Sequence, residues 1–87
     1  MNDRLYKILI TAKPPTKALE KVLKNLNDMG QCYQFYPEEE AIQEIAAHIS
    51  TYLAPSVRHQ IVEHLKQGGI GMKVIVQMAV SRLDKAA

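Results

Sequence analysis

The residues of this chain whose types could do chemistry are His48, His59 and His64, the lone Cys32, the run Glu38-Glu39-Glu40, and the glycine cluster Gly68-Gly69-Ile70-Gly71-Met72-Lys73. His59 and His64 are five positions apart, roughly 140° around a helix, so they do not project together as a metal-binding i, i+4 pair would. His59 and Glu63 could meet on one face, but two groups neither complete a zinc site nor activate a nucleophile. The three glutamates follow Pro37 directly. That pattern marks a helix start, where carboxylates favour the positive end of the dipole, and consecutive side chains diverge by about 100° instead of converging on a substrate. Cys32 sits in an aromatic segment with no base beside it, which predicts a small buried apolar residue and not a nucleophile. A single cysteine also excludes an internal disulfide and any multi-thiolate zinc site. The expectation is a chain that is not an enzyme, with no catalytic or metal-ligating set, no cofactor and no small-molecule substrate.

The glycine cluster fits neither nucleotide fingerprint. A phosphate-binding loop of the Walker kind needs glycine directly before lysine and then Ser or Thr, and a dinucleotide fingerprint needs a preceding strand and a third glycine in register. Gly69-Ile70-Gly71 followed by Lys73 resembles instead the hairpin of a helix-hairpin-helix unit, over roughly residues 56–83. The resemblance implies amides at a helix N-terminus that hold a DNA phosphate, since those donors have no partner within the helix. Gln67 and Gly68 stand where that family prefers an apolar residue and proline, and Ile75 replaces its small packing residue. Lys17, Lys21 and Lys24 recur every three or four positions and form a second candidate phosphate contact; Glu20 and Asp28 beside them equally suit a solvated face.

Two functional expectations follow. The first is a small regulatory protein of inhibitor, antirepressor or adaptor type that binds a protein partner and self-associates as a dimer, using Tyr33, Phe35, Tyr36, Met78 and Leu83. The alternative is a DNA-binding transcriptional regulator that contacts phosphates through Gly69, Gly71 and Lys73 of the hairpin and the Lys17/Lys21/Lys24 face.

The elements that must position these residues can be traced by periodicity. Leu19, Val22, Leu23, Leu26 and Met29 share one helical face from Thr16, and Gly30 offers a left-handed stop. After Pro37, Ile42, Ile45, Ile49, Tyr52 and Leu53, with Ala46, make one apolar stripe that Ala54-Pro55 breaks. Ser56 is a candidate cap for a helix holding Val57, Ile61, Val62 and Leu65, which ends at Gly68-Gly69. In the last segment Met72, Val74, Val76, Met78 and Val80 alternate as a strand would, but Met72, Val76, Ala79, Val80 and Leu83 also form a helical face that runs on through Leu83 while the alternation fails at Arg82. As a helix it is apolar nearly all round, which suits one central to the fold or buried at a dimer interface. Residues 5–11 and 31–36 are rich in β-formers and bounded by proline or glycine, so they predict short extended segments, with a one- or two-turn helix holding Leu5, Ile8 and Leu9 inward as the alternative for 5–11. The expected fold class is therefore mainly α, with four helices at about 16–29, 38–53, 56–67 and 72–85; pairing of the extended segments near 5–11 and 31–36 would make it α+β.

Length and composition bound the rest. At 87 residues, 47% apolar and 23% charged, the chain suits a single domain over 1–87 whose modest core yields little net stability alone. Charge is uneven: residues 1–26 hold six Lys/Arg against two acids, 27–54 hold five acids and no Lys/Arg, and 55–87 hold five Lys/Arg against two acids. No basic, apolar and cleavage-site sequence follows Met1 and no apolar run is long enough to span a bilayer, so a cytoplasmic location with no membrane partner is expected.

Overall fold

The computed structural model describes residues 15–86, which form four helices: α1 Lys17–Cys32, α2 Glu38–Tyr52, α3 Pro55–Lys66 and α4 Val74–Ala86. The expected segment at 5–11 lies outside the described residues. The one at 31–36 is corrected: Gln31 and Cys32 complete α1, and residues 33–36 turn, with no strand among the described residues. The aromatic β-formers lose to geometry there, because only five residues separate α1 from α2 and the chain must reverse within them.

Thr16 starts α1 as its cap, its Oγ1 accepting from the Leu19 amide at 3.2 Å. Pro37 caps α2 with an extended backbone and no side-chain hydrogen bond, and Glu38, Glu39 and Glu40 supply the first-turn negative charge in its place. The cap of α3 is Ala54, not Ser56. Pro55 occupies the first helical position, where its missing N–H is not needed and its fixed φ suits the helix, so Ser56 is already inside. Arg58 then donates to the Ser50 carbonyl at 2.7 Å, bracing the α2–α3 corner with a cation at a helix C-terminus.

The core is continuous. Leu23 and Leu26 of α1, Ile45 and Ile49 of α2, Ile61 of α3, and Val76, Ala79 and Val80 of α4 are buried together. The most extensive helix pairing is α2 with α4, and α4 also packs on α1 and α3. Its near-continuous apolar surface thus serves a central helix that touches the other three.

Gly30 is not a stop but a buried residue inside α1. A Cβ built there would lie 2.8 Å from Ile75 Cγ2, so the absent side chain lets α4 approach α1 closely. An ordinary Gly→Ala change inside a helix gains about 1 kcal/mol. Gly30→Ala is expected to lose that gain, ending between neutral and about 2 kcal/mol destabilised in urea unfolding, because overpacking costs roughly 1–3 kcal/mol. Ile75→Leu removes the Cγ branch that clashes, and should restore the gain in the double variant.

Candidate interaction surface

The candidate chemical residues do not converge. His64 is buried on α3, and its Nε2 lies 2.8 Å from the Ile70 carbonyl, to which it donates. It is thus a structural residue and not the surface or interface histidine its position suggests. His59 is exposed, while the His48 ring tilts against Tyr52 with centroids 4.9 Å apart. Cys32 is exposed, contrary to expectation, because α1 runs on past Gly30 and carries it to the outer face. Among the described residues no group of three or more His, Cys, Asp or Glu is placed to hold a metal ion.

The glycine cluster has a physical role that accounts for its composition. Gly68, Gly69 and Gly71 all take positive φ, of 118°, 64° and 86°, a region that side chains disfavour. The amides of Gly68, Gly69 and Met72 donate to the carbonyls of Leu65, His64 and Gly69. Asn27 of α1 closes the loop from the other side: its Nδ2 donates to the Gly71 carbonyl at 2.8 Å, and its Oδ1 accepts from the Lys73 amide at 3.0 Å. Lys73 Nζ also donates to Gln31 Oε1 at 3.1 Å. Four of the loop's donors, the amides of Gly68, Gly69, Met72 and Lys73, are therefore used inside the fold. Of the residues expected to contact phosphates, Gly69 and Lys73 have their amides bonded within the chain and Gly71 its carbonyl, whereas Lys17, Lys21 and Lys24 lie on the exposed face of α1.

Asn27 gave no local signal in the sequence, since its partners lie 44 and 46 residues away. Asn27→Ala is expected to destabilise by about 1–2 kcal/mol, two net hydrogen bonds, with little change in the secondary-structure spectrum; thermal unfolding checks it. Asn27→Asp keeps the acceptor for Lys73 but not the donor for Gly71, and should fall between the two.

The expected partner-binding residues divide by exposure. Phe35 is 91% exposed, Tyr36 54% and Met78 39%, whereas Tyr33 and Leu83 are half-buried against the core. The aromatic turn is held in shape by its own contacts. The Gln34 amide donates to the Gln31 carbonyl and the Tyr36 amide to the Tyr33 carbonyl, and the Tyr33 and Tyr36 rings meet edge to face at 4.9 Å. Phe35 projects from this fixed turn with its ring in water.

A bidentate ion pair joins α4 to α2 on this surface. Arg82 reaches both carboxylate oxygens of Glu39, with Nη1 2.6 Å from Oε1 and Nη2 2.5 Å from Oε2. That hydrogen bonding holds the Glu39 carboxyl below the ordinary glutamate range and raises Arg82. A lowered folded-state value means that the contribution is present above the unfolded carboxylate range and lost as pH falls through the folded value. In Arg82→Ala the Glu39 midpoint, followed by carbon-detected NMR, should climb back toward that of a free glutamate.

A search of curated proteins finds no match, and neither does a search of solved structures. A family profile does match, over residues 11–80, and its description is the NADH-dependant formate dehydrogenase delta subunit FdsD. The chain belongs to this family. Membership in the FdsD family corrects the functional expectations: neither a regulator of inhibitor or antirepressor type nor a DNA-binding transcriptional regulator is supported. A protein partner is supported, because FdsD proteins are subunits. The family's description mentions NADH; the glycine loop joins two helices and follows no strand among the described residues, so it is not the strand-to-helix turn of a dinucleotide fingerprint. No described helix is long and apolar enough to cross a membrane.

Proposed function

We propose that this chain is a non-catalytic accessory subunit of an NADH-dependent formate dehydrogenase, docked on the rest of the enzyme through the aromatic turn between α1 and α2. The family match over residues 11–80 carries the reading. The contact surface is supported by Phe35, an apolar ring presented to water on a turn that hydrogen bonds fix in place. Such a ring gives a partner a rigid anchor that loses little conformational entropy on binding. Tyr36 adds area with a polar tip, Tyr33 braces it, and Met78 offers further exposed apolar surface on α4, while Leu83 packs against the core. In this reading formate and NADH are handled by other subunits.

Reconstitution tests it. The purified chain, mixed with the enzyme's other subunits, should co-elute from a size-exclusion column at a fixed ratio and turn over no formate alone. Separate elution at micromolar concentrations, or formate turnover by the isolated chain, would overturn the reading.

A further inference from the structure

A second exposed apolar feature adjoins the aromatic turn. Val74 and Met78 are four residues apart on α4, 69% and 39% exposed, and Ile70 is likewise exposed in the glycine loop just before them. That spacing puts Val74 and Met78 one above the other on one helix face. Glu38 and Glu39 of α2 stand across from them, and Ile42 and Leu65 line the space between, leaving an open groove of about 490 Å³. The Arg82–Glu39 pair also lines it. Glu38 borders both this groove and the smaller hollow lined by Tyr33 and Tyr36, so groove and aromatic turn form one continuous surface.

Charge selects the kind of occupant. Residues 27–54 contain no Lys or Arg, and Arg82 compensates Glu39 alone, so Glu38 and Glu40 have no ion pair among the described residues. An acidic flank repels polyphosphates and anionic surfaces. A groove open along its length does not enclose a small molecule, which typically buries most of its surface. Aliphatic side chains walling an open trough with an acidic rim suit an amphipathic helix that brings apolar anchors at i, i+4 and a cation beside them.

We propose that the groove between α2 and α4 receives an amphipathic helical segment of another dehydrogenase subunit, with two aliphatic anchors against Val74 and Met78 and a Lys or Arg facing Glu38. This rests on the accessory-subunit reading above. The probe is the dehydrogenase complex purified without this chain, titrated with wild-type and variant chains. Val74→Glu alters a largely exposed residue and leaves the fold intact by thermal unfolding; together with Met78→Glu it should weaken binding at least ~10-fold. Glu38→Lys should weaken it about 3-fold at low salt, with the difference closing as salt screens the contact. A photo-crosslinking amino acid at position 74 should mark a segment of another subunit with apolar residues at helical spacing and a neighbouring Lys or Arg. If the wild-type chain fails to bind, the accessory-subunit reading fails first. If it binds and Val74→Glu and Glu38→Lys bind equally well, the groove proposal alone is overturned, as it is by a crosslink to a second copy or to residues 1–14 of the same chain.

Discussion

Replacing Phe35 and Tyr36 together with alanine should lower affinity for the dehydrogenase at least ~10-fold while lowering the unfolding temperature by no more than about 5 °C, the share of the lost Tyr33–Tyr36 ring contact. The two halves of this result follow from one geometry. Phe35 is 91% exposed and Tyr36 is more than half exposed, so neither ring contributes much buried area to the isolated fold. The turn that carries them is tied by the Gln34 and Tyr36 amides to backbone carbonyls, which the substitutions leave in place. A buried aromatic anchor at an interface commonly contributes 2 kcal/mol or more, well over the 1.4 kcal/mol that makes a factor of ten. Calorimetric titration against the enzyme's other subunits reads the first half, and thermal unfolding of the free variant reads the second. A variant that melts early would mean that the rings support the fold instead.

The opposite pattern is expected of Ile45→Ala. Ile45 is fully buried in the core that α2 and α4 share. Truncating a buried isoleucine costs about 2–5 kcal/mol, from lost transfer energy and from the cavity left behind. For a domain of this size that is a loss of roughly 10–25 °C in unfolding temperature, and a large part of a stability that begins near the low end of the usual 5–15 kcal/mol. Binding should fall only in proportion to the unfolded fraction, and saturating partner should recover it by mass action. Thermal unfolding with and without the dehydrogenase subunits checks both statements.

How legible the molecule is in its sequence differs from element to element. α2 can be read directly, since Pro37, three carboxylates and an Ile42/Ile45/Ile49 stripe all agree with one another. α4 is readable as a helix because its apolar pattern outruns the strand alternation, whereas its all-round hydrophobicity suits a central position and a dimer interface equally, and only the packing shows that it is central. The end of α1 is not readable. Glycine serves equally as a stop and as a point of close approach, and the residue that decides between them, Ile75, lies 45 positions away. The same distance hides Asn27, whose two hydrogen bonds fix the glycine loop. That loop misleads for a related reason: glycine spacing reports which backbone conformations are needed, but not whether the amides so arranged face a ligand or the protein itself. His64 is the local half of this answer, six residues from the carbonyl it holds. The aromatic turn is legible in composition and illegible in shape, because β-forming residues between two helices adopt whatever reversal the helix packing demands.

In the proposed arrangement the chain binds its enzyme through the aromatic turn and the adjoining α4 face, and not through its lysine face. Hydrogen exchange of the chain, free and bound to the dehydrogenase subunits, tests this most directly. Exchange should slow in residues 33–36 and 70–78 on binding, with residues 17–24 unchanged. Protection centred on Lys17, Lys21 and Lys24, with residues 33–36 unaffected, would contradict it.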